Sequence, residues 1–374
     1  MNDSYKDFEQ GYAPSRNTDP GGYNPTPRWN DFTIDDEIKA RKRFSRFFLA
    51  CFVYLATSFV LVNASYLIAV ILFGIDQTDA FFSNPYVNMA VQVLFMYVIS
   101  LPIFYLIVRN MRNAFRIKKG ISVKEFIMLF LIAEACMYGG SLLSSYITDF
   151  IYGFFSIEVT DNITELVMNT PLWLVFVVAV VIGPIVEEFI YRKLLMDKLG
   201  IYGDRIAIVV SAISFGLFHG DISQLFYATL IGFVLAYLYS KTANVWICAL
   251  MHALINFFGS IVPMLIMESA DTVLKLLEEA EAGLTPEDIN EYYGALLVTG
   301  AYSLFTYGVI IAGVILFFKY RKSFFVSDRC EVLIPKHKRA SVIVLNAGAI
   351  AFIIFTAASM ALNLITPILE ALGA

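Results

Sequence analysis

The sequence predicts an all-α, polytopic membrane bundle of about nine transmembrane helices with its N-terminus in the cytoplasm. Three observations carry that prediction. Of 374 residues, 58% are hydrophobic and only 16% charged, whereas a soluble domain carries about 25% charged residues. Several apolar runs reach the ~20 residues needed to cross a ~30 Å hydrocarbon core. Lysine and arginine also sort almost entirely onto one side of those runs.

Taken in order, residues 1–38 are rich in Asn, Asp, Gly, Pro, Ser and Tyr, a composition that cannot bury a core and reads as a disordered cytoplasmic tail. The basic cluster from Lys39 to Arg46 then flanks the first apolar run and marks a cytoplasmic boundary that can touch anionic headgroups. Residues 39–374 form one transmembrane domain. Its spans are expected at about Phe47–Phe73, Tyr86–Val108, Glu125–Ile147, Pro171–Tyr191, Ile206–His219, Ser223–Ser240, Val245–Met264, Gly294–Phe318 and Ser341–Pro367. The fifth is short for a crossing at 1.5 Å per residue, so it either extends into its flanks or meets lipid only in part. Between Met264 and Gly294, Asp271–Glu281 has the pattern of an amphipathic surface helix, and Thr285-Pro286-Glu287 that of a new helix start.

With the N-terminus inside, the inside loops hold Arg109 to Lys124, Arg192 to Arg205, Lys241, and Lys319 to Arg339. The outside loops hold Asp76, Asp79, Asp149, Glu158, Asp161, Glu165 and the acidic run Glu268–Glu291. Of the 27 Lys and Arg residues only Lys275 falls outside, as the positive-inside rule requires. The net charge of −5 says little, because in a membrane protein the distribution of charge is what matters; no nucleic-acid partner is expected. Cys51, Cys136, Cys248 and Cys330 show no CxxC or other ligand spacing, which argues against a disulfide framework or zinc finger.

Ionisable groups within the spans are few: Glu125, Glu134, Glu187, Glu188, His219 and His252. A charged side chain inside a span costs roughly 2.5–3.5 kcal/mol on insertion scales, so such residues are read as functional candidates. Glu187 and Glu188 point about 100° apart on a helix. Arg192, four residues after Glu188, can pair with it, which leaves Glu187 to face a cavity. Such a pair also serves to fix packing. Gly183-Pro184 upstream permits a bend. His219 closes a helix with Gly220 as its C-cap, and Phe215, four residues earlier, walls the imidazole. His252 and Asn256 share one face. Asn256 either orients His252, or both donate to a developing oxyanion.

Together these residues supply the inventory for amide hydrolysis by activated water without a covalent nucleophile. The same Glu187, His219 and His252 could instead hold a divalent metal such as zinc that acidifies a water. A HExxH helix is absent. Two other classes stay open: a non-catalytic scaffold, immunity or regulatory protein that keeps the polar cluster as a lock, and a proton-coupled transporter using Glu134 and Glu187. The last lacks the internal repeats of most transporters.

Glu187-Glu188-x-x-x-Arg192, Phe215-x-x-x-His219 and His252-x-x-x-Asn256, in this order on successive helices, resemble the CAAX protease and bacteriocin-processing family of intramembrane endopeptidases, which includes the type II prenyl-protein endopeptidases. The likeness spans about Pro171–Gly259. It implies a helical bundle with a membrane-enclosed cavity open to the cytoplasm. It also implies that Glu187 activates water with help from His219, that His252 and Asn256 stabilise the oxyanion, and that Glu188, Arg192 and Phe215 support them. The implied substrate is a peptide or membrane-associated protein, prenylated or bacteriocin-like, in a lipid bilayer expected to be a prokaryotic plasma membrane. Depth is the difficulty. Glu187 lies near the inner end of its span, whereas His219 is roughly 20 Å along its own, so span five must start later, tilt or dip.

Overall fold

A computed structural model describes residues 32–155, 157, 170–280, 286–324 and 330–371. The expected tail lies outside the described residues up to 31. Its end is already helical, because Thr33 caps Asp36 and the Asp36 carboxylate returns to the Thr33 amide in a capping box.

The chain forms α1 (Ile34–Phe73), α2 (Ile75–Phe82), α3 (Pro85–Val108), α4 (Val123–Gly153), α5 (Leu172–Tyr202), α6 (Asp204–Phe218), α7 (Ile222–Thr242), α8 (Val245–Ala280), α9 (Pro286–Tyr320), α10 (Arg339–Ile343) and α11 (Ala347–Ala371). No strand occurs among the described residues. Among the described residues eight helices are long and apolar enough to cross a membrane: α1, α3, α4, α5, α7, α8, α9 and α11. They coincide with eight of the nine expected spans, and α6 is the ninth. The protein is therefore a multi-pass integral membrane protein. The expected surface helix at 271–281 is not separate, because the helix of the seventh span runs on without a break through Ala280.

At 15 residues, α6 is the short one, and ten of those are buried. Only part of it meets lipid, chiefly Val209 and Ile213, 44% and 46% exposed. Small residues allow this burial. A β-carbon on Gly216 would stand 2.0 Å from Thr229 Oγ1 and 2.6 Å from the Leu225 carbonyl of α7, so only glycine lets the two helices cross this closely.

Proline shapes three of the long helices. Wide π-type turns occupy Leu94–Ser100, Phe176–Ile182 and Phe257–Ile261, each directly ahead of Pro102, Pro184 or Pro263. Proline offers no N–H and crowds the preceding turn, and a widened turn relieves that crowding.

The segments assigned to one side by charge meet at one end of the bundle. Lys198 Nζ donates to the Met111 carbonyl at 2.8 Å and the Ala114 amide to the Asp197 carbonyl at 2.6 Å. The Lys119 amide reaches Thr242 at 2.9 Å, and Glu331 receives Arg112 at 2.9 Å while its own amide donates to Ile201. Lys338 pairs with Glu37 at the start of α1. α4 packs on α7 and α9, α6 on α7, and α11 on α1.

Candidate active site

The site is assembled on α5, α6 and α8. In α5 the Gly183 amide bonds the Val178 carbonyl, one residue beyond the α-helical partner Ala179, and Pro184 has no amide to offer. The Ala179 carbonyl is thereby released, and Asn256 Nδ2 from α8 donates to it at 2.8 Å. The bend at Gly183-Pro184 thus has a defined consequence: it creates the acceptor that holds Asn256.

One turn on stand the two carboxylates. Glu188 and Arg192 are both fully buried and pair at 2.9 Å, as the i,i+4 spacing predicts. Arg192 also donates to Ser211 of α6, and Ser211 passes its own hydrogen to the Tyr191 carbonyl at 3.2 Å. The expected division of labour between the carboxylates is corrected at His252. Its Nδ1 lies 3.2 Å from Glu188 Oε1, and its Nε2 lies 3.8 Å from Glu187 Oε2. The adjacent carboxylates diverge, as helix geometry requires, yet close on opposite edges of one imidazole. Glu188 therefore serves Arg192 through one oxygen and His252 through the other. Glu187 keeps a 22% exposed side chain and stands too far from Nε2 for a hydrogen bond, so its oxygens are available to a third party.

Phe215 is the hub of α6. Its ring meets His252 at 5.6 Å, His219 at 5.1 Å and Tyr191 at 5.2 Å, all edge-on, with the Arg192 guanidinium 5.3 Å from its centre. His219 Nδ1 is 2.9 Å from the Phe215 carbonyl, which assigns a proton to Nδ1 and leaves Nε2 as the open edge. Gly220 follows in the left-handed region at φ +62°, consistent with the expected helix stop. Its carbonyl accepts from Asn363 of α11 at 3.2 Å. His219 joins the cluster through Phe215 and makes no hydrogen bond or ion pair with Glu187 or His252 among the described contacts. Asn256 does not orient His252; its amide is engaged on Ala179.

The depth difficulty is resolved by α5, which does not stop at Tyr191 but continues to Tyr202. Glu188 is thus about 21 Å from that end at 1.5 Å per residue, deep enough to meet Phe215. The charges that suggested a span end are internally paired: Arg192 with Glu188, Lys193 with Asp197 at 2.6 Å, and Asp197 also with Arg116 and the Tyr239 hydroxyl.

A metal held by Glu187, His219 and His252 would need the three to converge. The phenyl ring of Phe215 touches both imidazoles, and Glu188 holds one edge of His252. Among the described residues no group of three His, Cys, Asp or Glu side chains is placed to hold a metal ion.

Two neighbours escaped the sequence reading. Ser211 had a signal, since Ser211, Phe215 and His219 recur every four residues on one face. Tyr97 had none. Its hydroxyl and Glu187 Oε1 both overhang Gly183, 3.6 and 3.7 Å from where a β-carbon would stand, and it comes from α3, some 90 residues earlier.

Residues 169–258 match the family model of type II CAAX prenyl endopeptidases, Rce1-like. Over this segment the chain is similar to that family. A Bacillus subtilis (strain 168) protein named "Putative membrane peptidase YdiL" is 32% identical over 105 residues, which is 27% of this chain and 41% of that protein. The chain thus spans about two fifths of the relative it matches. No solved structure matches the chain. The family segment contains α5, α6, α7 and the start of α8, and with them every residue of the Glu–His–Asn cluster.

Proposed function

We propose that the protein is an intramembrane endopeptidase that hydrolyses a peptide bond of a peptide or membrane-associated protein, prenylated or bacteriocin-like, in a prokaryotic plasma membrane. The observation that carries this reading is the Glu188–His252–Glu187 arrangement, in which one buried carboxylate fixes an imidazole and a second, partly exposed one stands at its other edge. Glu187 takes a proton from water as the water oxygen attacks the scissile carbonyl carbon. The resulting oxyanion is met by the second hydrogen of Asn256 Nδ2 and by Nε2–H of His252 when both ring nitrogens carry hydrogen. Glu187 then passes its proton to the leaving nitrogen as the C–N bond breaks, giving a carboxylic acid and an amine, between which the acid's proton then passes to leave a carboxylate and an ammonium. His219 offers Nε2 to the water. Glu188 and Arg192 are positioning residues: they hold the His252 ring and carry no atom of the reaction.

The test uses purified full-length protein in lipid nanodiscs with membrane-anchored and soluble candidate peptides, read by mass spectrometry of the products. Cleavage that disappears in Glu187→Gln while the thermal midpoint is kept supports the reading. Cleavage that survives the substitution overturns it.

A second reading, a non-catalytic scaffold or immunity protein, is favoured by the complete burial of the Glu188–Arg192–Ser211 network, which also locks α5 to α6. It requires Glu187→Gln and His219→Ala to lower stability in proportion to cellular activity. A stable, folded and inactive variant counts against it.

A further inference from the structure

His219 stands at the C-cap of α6, where a helix end frays unless something ties it. Two contacts hold the imidazole, the Phe215 carbonyl at 2.9 Å from Nδ1 and the Phe215 ring at 5.1 Å. Both come from within the last turn of α6. A tie from beyond the α6–α7 hairpin is supplied by α11. Asn363 Nδ2 donates to the Gly220 carbonyl at 3.2 Å. Ser359, one turn earlier, covers Gly220 so closely that a β-carbon there would stand 2.9 Å from its hydroxyl. Gly220 holds φ +62°, which turns its carbonyl out of the helix ladder and makes a donor from elsewhere necessary.

The helix that supplies this donor is itself braced. The Gly348 amide donates to Ser45 Oγ of α1 at 3.0 Å, Phe352 stacks on Phe48 at 5.8 Å, and Phe355 meets Phe52 at 5.7 Å. Residues 348, 352 and 355 lie on one stripe of α11, and 359 and 363 continue it. A stripe that packs on α1 over its first two turns therefore ends on the turn behind His219.

We infer that α11 sets the place of His219 through Asn363, which is a positioning residue for the reaction. Asn363 lies outside residues 169–258, the segment that matches the family model. It touches no reacting atom. The carbonyl it holds belongs to the residue next to His219, so a released turn carries the imidazole with it. That His219 works on a water rests on the peptidase reading; that Asn363 fixes the ring does not.

The chain has three histidines, so isotope labelling of the histidine ring nitrogens in the full-length protein, reconstituted in lipid, gives three sets of magnetic-resonance signals. His219→Gln and His252→Gln assign them. Asn363→Leu keeps the volume and deletes the donor. It should shift or broaden the His219 signals and leave those of His252 in place. On a peptide that the unaltered protein cleaves, kcat corrected for the folded fraction should fall about tenfold with KM unchanged, because a misplaced group loses catalytic geometry and not substrate binding. Asn363→Ala, which adds no bulk, gives the same two readouts should the leucine variant not fold. An unmoved His219 signal, or a loss of rate that resides in KM or tracks the folded fraction, overturns the proposal. Cleavage that survives Glu187→Gln overturns the peptidase reading instead and leaves the His219 signals to decide the positioning.

Discussion

His252 meets Glu188 edge-on, Nδ1 to Oε1 at 3.2 Å, where the carboxylate is fully buried and its other oxygen is held by Arg192. This contact divides the acidic pair into two jobs that mutation should separate. Glu188→Ala leaves Arg192 as an uncompensated buried cation and should cost ~3–5 kcal/mol of stability. Glu187→Gln removes a partly exposed carboxylate with only a 3.8 Å contact; it should leave the midpoint nearly unchanged and lower the cleavage rate by roughly 10²–10⁴-fold. Thermal unfolding in detergent and product mass spectrometry on the same preparations distinguish the two outcomes. Equal loss of stability in both variants would contradict the division.

Asn256 couples helix distortion to chemistry. Asn256→Leu leaves the Ala179 carbonyl without its donor, at a cost of about 1–3 kcal/mol, and removes an oxyanion donor worth roughly 10²–10³-fold in rate. Turnover should fall much further than stability alone accounts for. A rate that simply tracks the folded fraction would reduce Asn256 to a packing role.

Tyr97 shares the space over Gly183 with Glu187. Tyr97→Phe keeps the ring and deletes the hydroxyl, so it should slow cleavage by about tenfold, the effect of one neutral hydrogen bond of ~1.4 kcal/mol. The unfolding midpoint should be retained. An unchanged rate would place Tyr97 outside the reacting group.

The crossing of α6 and α7 should tolerate no side chain at Gly216. Gly216→Ala is expected to lose ~1–3 kcal/mol by overpacking. Adding Thr229→Ala should restore only part of it, because the Leu225 carbonyl also stands within 2.6 Å of the new carbon. Full restoration by the second change would show that the backbone can yield.

The proposed water activation by Glu187 needs no metal, so cleavage is expected to continue after exhaustive chelation, with no stoichiometric metal in elemental analysis of the purified protein. Loss of cleavage on chelation, restored by zinc, would show that the three close around an ion when substrate is bound.

Much of this was legible in one dimension. Hydropathy and charge reported eight crossings and a ninth short helix, because lipid penalises every unpaired polar group and so imposes long apolar runs between marked ends. The Glu188–Arg192 pair and the capping role of Gly220 were equally local, since both follow from i,i+4 geometry and the left-handed region. The extent of α5 was not legible, because Arg192, Lys193, Asp197 and Lys198 look like a span end until their partners from other helices are known.

By itself, then, the sequence determined an all-α membrane bundle and the candidate residues, because those depend on composition and on spacing along one helix. Only the tertiary structure decided how the residues divide: that the two glutamates flank one imidazole while only Glu188 holds it, that Phe215 touches both histidines, that Asn256 is held by a carbonyl freed upstream of a proline, and that Tyr97 stands beside Glu187. These relations join groups tens to hundreds of residues apart, and only the packing of α3, α5, α6 and α8 sets the distances between them.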